Sequence, residues 1–166
     1  MNYAEGALAW GLVTLMRYEK KDRNNFSKFN TALDLLNGVY VKAGILADNK
    51  TLSADGVPVV EYAIYNEFGT AKIPARPFVS TTHDEESKHW IATVDKNLEA
   101  MLLSKQRTQT ELDILGRRMM TDIKRKIDSI TSPPNSPATI KRKGSSKPLI
   151  DDGTMRKAVN YEVKAK

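Results

Sequence analysis

The chain has 166 residues, with 26 basic against 20 acidic side chains, a net charge of +6, and 40% hydrophobic and 28% charged residues. That length favours one domain with an ordinary core, and the clear apolar periodicity along it excludes a disordered chain. The absence of cysteine excludes disulfides and thiolate metal sites, and two histidines, His83 and His89, are too few for a histidine-rich metal site.

The positive charge could be answered by nucleic acid, an acidic protein surface or a phosphate-rich setting, and by itself does not choose. No stretch reaches the roughly 20 apolar residues of a membrane span, so no membrane partner is expected.

Residues 4–20 read as a first helix, with Leu8, Leu12, Leu15 and Met16 on one face and Trp10 and Val13 widening it. The apolar run precedes its basic cluster, the reverse of a secretory signal, which argues for a helix over a targeting peptide. The stripe needs a cover. Either its own domain supplies one, or a neighbouring subunit does, since the polar run "KKDRNNFSK" separates it from the body. A second helix is expected from Asn30 or Thr31, either able to cap it, to the stop signal Asn37-Gly38. Val39, Val41, Ala43 and Ile45 then alternate with Tyr40 and Lys42, predicting a half-buried strand over 39–46. A loop follows. "VPVVEYAIYNEFG" fits strand or helix; Val59, Tyr62, Ala63 and Asn66 share a helical face, and Gly69 would end it, so helix is expected.

Beyond a Pro-Ala-Arg-Pro segment, Thr82 and Glu85 form a capping box, with Asp84, Glu85 and Glu86 expected in the first turn of a helix. Ile91, Val94, Leu98 and Met101 or Leu102 give that helix an apolar seam. Thr108 and Glu111 form another capping box, and Leu112, Leu115, Met119, Ile123, Ile127 and Ile130 mark a second long seam. The short break between them predicts a hairpin or a shallow kink. Residues 131–148, rich in Pro, Ser and Lys, are expected to form an exposed loop or arm with no regular element. A short helix capped by Asp151 or Asp152 and a strand through Val159, Tyr161 and Val163 close the chain.

The expected architecture is α+β: a small antiparallel or mixed sheet packed against two long helices, with an extra N-terminal helix. Residues 1–28 form the helical extension and 29–166 the α+β domain. Its two clear strands lie far apart in sequence, so the fold must bring its ends together.

Catalytic patterns are scarce. Asp84, Glu85 and Glu86 suit helix capping better than acid–base chemistry. His83 and His89 lie six residues apart, which does not stack them on one helical face. No nucleophile elbow or phosphate-binding loop appears, and Gly69 and Gly144 are isolated. The expectation is a protein without catalysis, cofactor or metal. Lys141, Arg142 and Lys143, with Lys147, could give salt-sensitive phosphate contact. No aromatic interleaves them for base stacking, and no groove-fitting element accompanies them. A solvated loop, a protein-interface arm and phosphate contact with DNA all remain open for that segment.

Two blocks are more specific. The first is Tyr65-Asn66-Glu67-Phe68-Gly69-Thr70 with Pro74-Ala75-Arg76-Pro77-Phe78; the second, about 70 residues further on, is Leu149-Ile150-Asp151-Asp152-Gly153-Thr154-Met155. Together they resemble the tail-completion or head–tail joining proteins of long-tailed bacteriophages, also described as virion morphogenesis proteins. Asp152 replaces the family's usual threonine and Met155 its usual leucine. The resemblance covers roughly residues 30–164 and leaves the first 28 outside the pattern. It implies a structural virion protein at the neck, joining tail tube to head connector as a closed ring, a hexamer or dodecamer. Its implied partners are copies of itself, the tail tube, the tail terminator and the head connector, with DNA phosphate contact as a further option. It implies a place in the virion tail or neck, and in the host cytoplasm during assembly. A tail terminator capping the tube is the neighbouring reading; a small basic nucleic-acid-binding protein is the alternative of a different class.

The residues fit a stiff corner. Pro74 and Pro77 fix extended backbone around Arg76, holding its guanidinium for a bidentate carboxylate, with Glu67 the nearest candidate; an ordinary turn with a surface arginine is the plainer reading. Phe68 and Phe78 are expected to anchor the corner in the core, or else to face another subunit. Gly69 should take positive φ. Leu8, Trp10, Leu12 and Leu15, with the 131–148 segment and its Lys141, Arg142 and Lys143, are the candidate subunit contacts.

Overall fold

A computed structural model describes residues 34, 36–53, 55–102 and 104–164. The alternating run after Gly38 forms β1 (Tyr40–Ile45), and Gly38 turns the chain into it with φ 76°. Its partner is β2 (Val159–Lys164), paired antiparallel from Tyr40 opposite Lys164 to Ile45 opposite Val159. The two ends of the domain thus meet as one ribbon. Between them run α1 (Val59–Phe68), α2 (Val79–Met101), α3 (Lys105–Ser129), α4 (Pro137–Lys143) and α5 (Thr154–Ala158). The described residues form a mixed α+β unit of five helices and one two-stranded antiparallel sheet. The expected extension 1–28, with Leu8, Trp10, Leu12 and Leu15, and the second helix's start at Asn30 or Thr31, lie outside them.

The helices α2 and α3 form an antiparallel hairpin, with side-chain bonds from Trp90 to Asp122 and from Asn97 to Glu111. The sheet lies on α3, and α2 lies along α3. Gly116 lets the sheet come close: a Cβ there would overlap the Tyr161 ring, with the ring's Cγ only 2.8 Å away.

Both capping boxes fall inside helices instead of starting them. The Thr82 hydroxyl is buried and donates to the Phe78 carbonyl at 2.5 Å. Thr108 is buried too and donates to the Met101 carbonyl at 2.6 Å, tying the hairpin turn. The start of α3 is capped by Ser104, which accepts from the Arg107 amide at 3.2 Å. Asp84, Glu85 and Glu86 therefore sit beyond the first turn of α2, where Glu85 and Glu86 reach across the hairpin to Lys126 and Arg125. In α2's seam, Ile91 is exposed and Trp90 takes the buried place. The α3 seam holds: Leu112, Leu115, Ile123 and Ile127 are buried, and Met119 and Ile130 pack beside them.

The expected structureless arm at 131–148 contains α4. Ser136 accepts from the Thr139 amide, Pro137 occupies the first turn, and Gly144 ends the helix at φ 69°. Proline lacks the amide a first turn leaves unused, and glycine takes the left-handed stop, so these residues bound a helix as well as break one.

Two apolar clusters fill the interior. One gathers Trp90, Met101, Leu112 and Leu115 near the hairpin turn, with Val41 and Val163 from the sheet beside them. The other, at the opposite end, gathers Val59, Phe78, Ile123, Ile127, Leu149, Met155 and Val159. Among the described residues no helix is long and apolar enough to cross a membrane.

Candidate functional site

The second cluster joins the two sequence blocks: Phe78 comes from the first, Leu149 and Met155 from the second. Around it the chain builds a corner in which most residues of the first block have an assigned bond. Asn66 donates its side-chain amide to the Tyr62 carbonyl at 2.8 Å, and its own carbonyl accepts from the Arg76 amide at 2.6 Å. Gly69 ends α1 at φ 76°, and a Cβ there would lie 2.9 Å from the Ala75 nitrogen. The Thr70 hydroxyl accepts from the amides of Lys72 and Ile73, folding the segment back on itself.

Glu67 does not pair with Arg76. Its carboxylate accepts from the amides of Phe78, Val79 and Ser80 at 2.7, 2.9 and 2.9 Å, and from the Ser80 hydroxyl at 2.7 Å. It caps α2 from the end of α1, because three amides at a helix start have no partner of their own and favour an anion. Pro77 fits this arrangement, since it has no N–H to leave unsatisfied just ahead of the cap.

Arg76 instead turns toward the segment before α4. Its Nε donates to the Pro133 carbonyl at 2.7 Å, and one terminal nitrogen donates to the Pro134 carbonyl and the Asn135 side-chain oxygen, both at 3.2 Å. The side chain is buried, at 4% exposure, which pulls its pKa down. The expected bidentate carboxylate is replaced by carbonyls that the Pro-Pro pair presents. Phe78 anchors the core at 1% exposure, whereas Phe68 is 75% exposed, so only one of the two expected anchors serves that role.

In the second block, Leu149 and Met155 are buried, and Gly153 turns the chain at φ 79° into α5. Asp152 accepts from the Thr154 amide and hydroxyl at 2.8 and 2.6 Å, which holds its carboxyl below the usual range. Asp151 is exposed beside it.

The blocks and the 131–148 segment enclose a cleft of about 810 Å³. Tyr62, Ile73, Pro74 and Leu149 give it apolar wall; Lys72, Arg76, Arg142 and Lys143 give it positive charge, and Asp55, Asp151 and Asp152 negative. The Tyr62 hydroxyl is pushed up to about 12, first by burial and then by the Asp152 carboxylate, so it stays protonated at neutral pH. Lys143 donates to the carbonyls of Lys147 and Pro148 at 3.3 and 3.1 Å, closing the end of α4, while burial lowers its pKa. Lys141 and Arg142 are exposed on α4.

Set against protein-family models, curated proteins and solved structures, the chain matches none. The site therefore has to be read from its own chemistry. Among the described residues no group of three or more His, Asp or Glu side chains is placed to hold a metal. His83 lies beside Asp84 and His89 beside Glu86, on the exposed face of α2.

Sequence reasoning missed three participants: Glu67 as a cap for the following helix, Tyr62 as cleft wall, and Asp122. Asp122 is buried and accepts from the Trp90 indole at 2.8 Å and from Arg125 at 2.6 Å. A signal for it was present. Asp122 falls on the inner side of the α3 seam, and a buried indole N–H needs an acceptor.

Proposed function

We propose that the chain is a structural virion protein of a tailed phage, a tail-completion or neck adaptor that assembles as a ring between tail tube and head connector. The observation that carries this reading is the convergence of the two resemblance blocks on a single corner. There Glu67, Gly69, Arg76, Phe78, Gly153 and Met155 each act to fix geometry, and none is arranged as nucleophile, base or metal ligand. A corner fixed by buried hydrogen bonds presents surfaces at set angles, which closed rings of identical copies require. The exposed side chains of Phe68, Ile64 and Tyr65 on α1 are apolar area available for such contacts.

Two measurements test the reading. Light scattering of the purified chain should give the mass of a closed oligomer, or of a monomer that then joins isolated tails. Imaging of mature particles should locate the chain at the neck. Absence from mature particles, or a turnover activity abolished by substituting a residue of the cleft, would overturn the reading.

A further inference from the structure

Arg76 is buried, yet every partner it has is a neutral oxygen, and none of the ion pairs among the described residues includes it. A cation held that deep is an incomplete arrangement unless an anion reaches it. One can. Among the described residues the other terminal nitrogen of the guanidinium has no hydrogen-bond acceptor. Arg76 lines the cleft, and Lys72, Arg142 and Lys143 line it too. The Lys143 ammonium is occupied by carbonyls, and the charges of Arg76 and Arg142 add to burial in lowering its pKa, against Asp151.

The volume of about 810 Å³ falls among sites that hold side chains or small ligands, and Tyr62, Ile73 and Leu149 add apolar wall. Asp55, Asp151 and Asp152 also border the cleft. They would repel a nucleic-acid backbone, which carries a charge about every 1.7 Å of duplex. A single carboxylate brings one charge only and suits the fork geometry of arginine.

We propose that this cleft receives one carboxylate side chain, flanked by apolar residues, on an extended segment of a partner protein, with Arg76 as its ion-pairing floor. The inference rests on the assembly reading for the kind of partner: a neighbouring subunit or an adjoining virion protein.

The test uses the full isotope-labelled chain and NMR of the Arg76 Nε–H and the amides of Thr139, Gly153 and Met155. The probes are a capped pentapeptide with one glutamate among apolar residues, its glutamine twin, inorganic phosphate and a DNA duplex. The glutamate peptide should shift the cleft resonances saturably, with the glutamine twin about tenfold weaker or more. Arg76→Lys should weaken binding, because the fork is lost while the charge stays. Arg142→Glu, on the exposed side of α4, should abolish it while thermal unfolding stays unchanged. Equal binding of the two peptides, no shift at the cleft, or phosphate or duplex binding as tightly as the glutamate peptide would sink the proposal. Virions that contain the chain while the two peptides bind alike would remove this inference and leave the assembly reading standing. Glutamate-selective binding by a chain absent from virions would do the reverse.

Discussion

At the scale of single residues, the corner depends on acceptors that serve backbone groups. Glu67 takes three amides and a hydroxyl at the start of α2. Truncating it leaves the amides of Phe78 and Val79 half-buried with no acceptor. Glu67→Ala should cost about 1–3 kcal/mol, read as a lower denaturant midpoint at unchanged slope. Tyr62 gives a pH signature. Its folded-state pKa of about 12 stands above the ordinary 10.0, so its contribution to stability is complete below pH 10.0 and is lost as pH rises toward 12. Tyr62→Phe should flatten that alkaline loss in denaturant unfolding, and remove the latest-titrating component of the tyrosinate absorbance. An unchanged alkaline limb would mean that the hydroxyl is not held in its buried place beside Asp152. Arg76 shows why side-chain partners were illegible. Its flanking prolines stand beside it in the sequence, but the carbonyls of Pro133 and Pro134 lie nearly sixty residues away and carry no sequence mark as acceptors.

At the scale of elements, periodicity carried the reading. The apolar seam of α3, the strand after Gly38 and the helix ending at Gly69 were all legible, because each buries one face at a regular spacing. Helix starts were not. Thr82 and Thr108 have the spacing of capping boxes, yet each threonine is buried and bonds a carbonyl, Thr82 that of Phe78 one turn back and Thr108 that of Met101 across the hairpin turn. The true caps are Glu67, distant in sequence, and Ser104, one of several eligible residues. The segment around α4 misled because proline and glycine were counted as breakers, when Pro137 and Gly144 mark a helix's two ends. In the hairpin, Trp90 and Asp122 join α2 to α3 through a buried bond to a charged acceptor. Trp90→Phe keeps an aromatic ring in place but removes the donor and part of the indole's buried bulk. It should cost about 1.5–3 kcal/mol in unfolding free energy. Trp90→Phe combined with Asp122→Ala should cost less than the sum of the two single changes, because each alone removes the one bond they share.

At the scale of the whole molecule, the described residues supply two apolar clusters of their own, one at the corner and one at the hairpin turn. The pairing of β1 with β2 closes the chain between them, the long-range contact that two distant strand patterns had required. Residues 1–24 lie outside the described residues. The sequence of that segment carries Leu8, Leu12 and Leu15 with Met16 at helical spacing, an apolar stripe of the kind that packs on a partner surface. Removing residues 1–24 should therefore change assembly much more than folding. Thermal unfolding of the truncated chain should follow the same cooperative transition within a few degrees, since every described member of both clusters is kept. Its mass in solution should fall from oligomer to monomer, or its addition to tail preparations should stop yielding completed particles. A truncated chain that still forms the oligomer and completes particles places the subunit contact elsewhere, with exposed Phe68 and Ile64 on α1 the next surface to alter. A truncated chain that fails to fold makes the stripe part of the domain's own core, the other cover that its sequence allows.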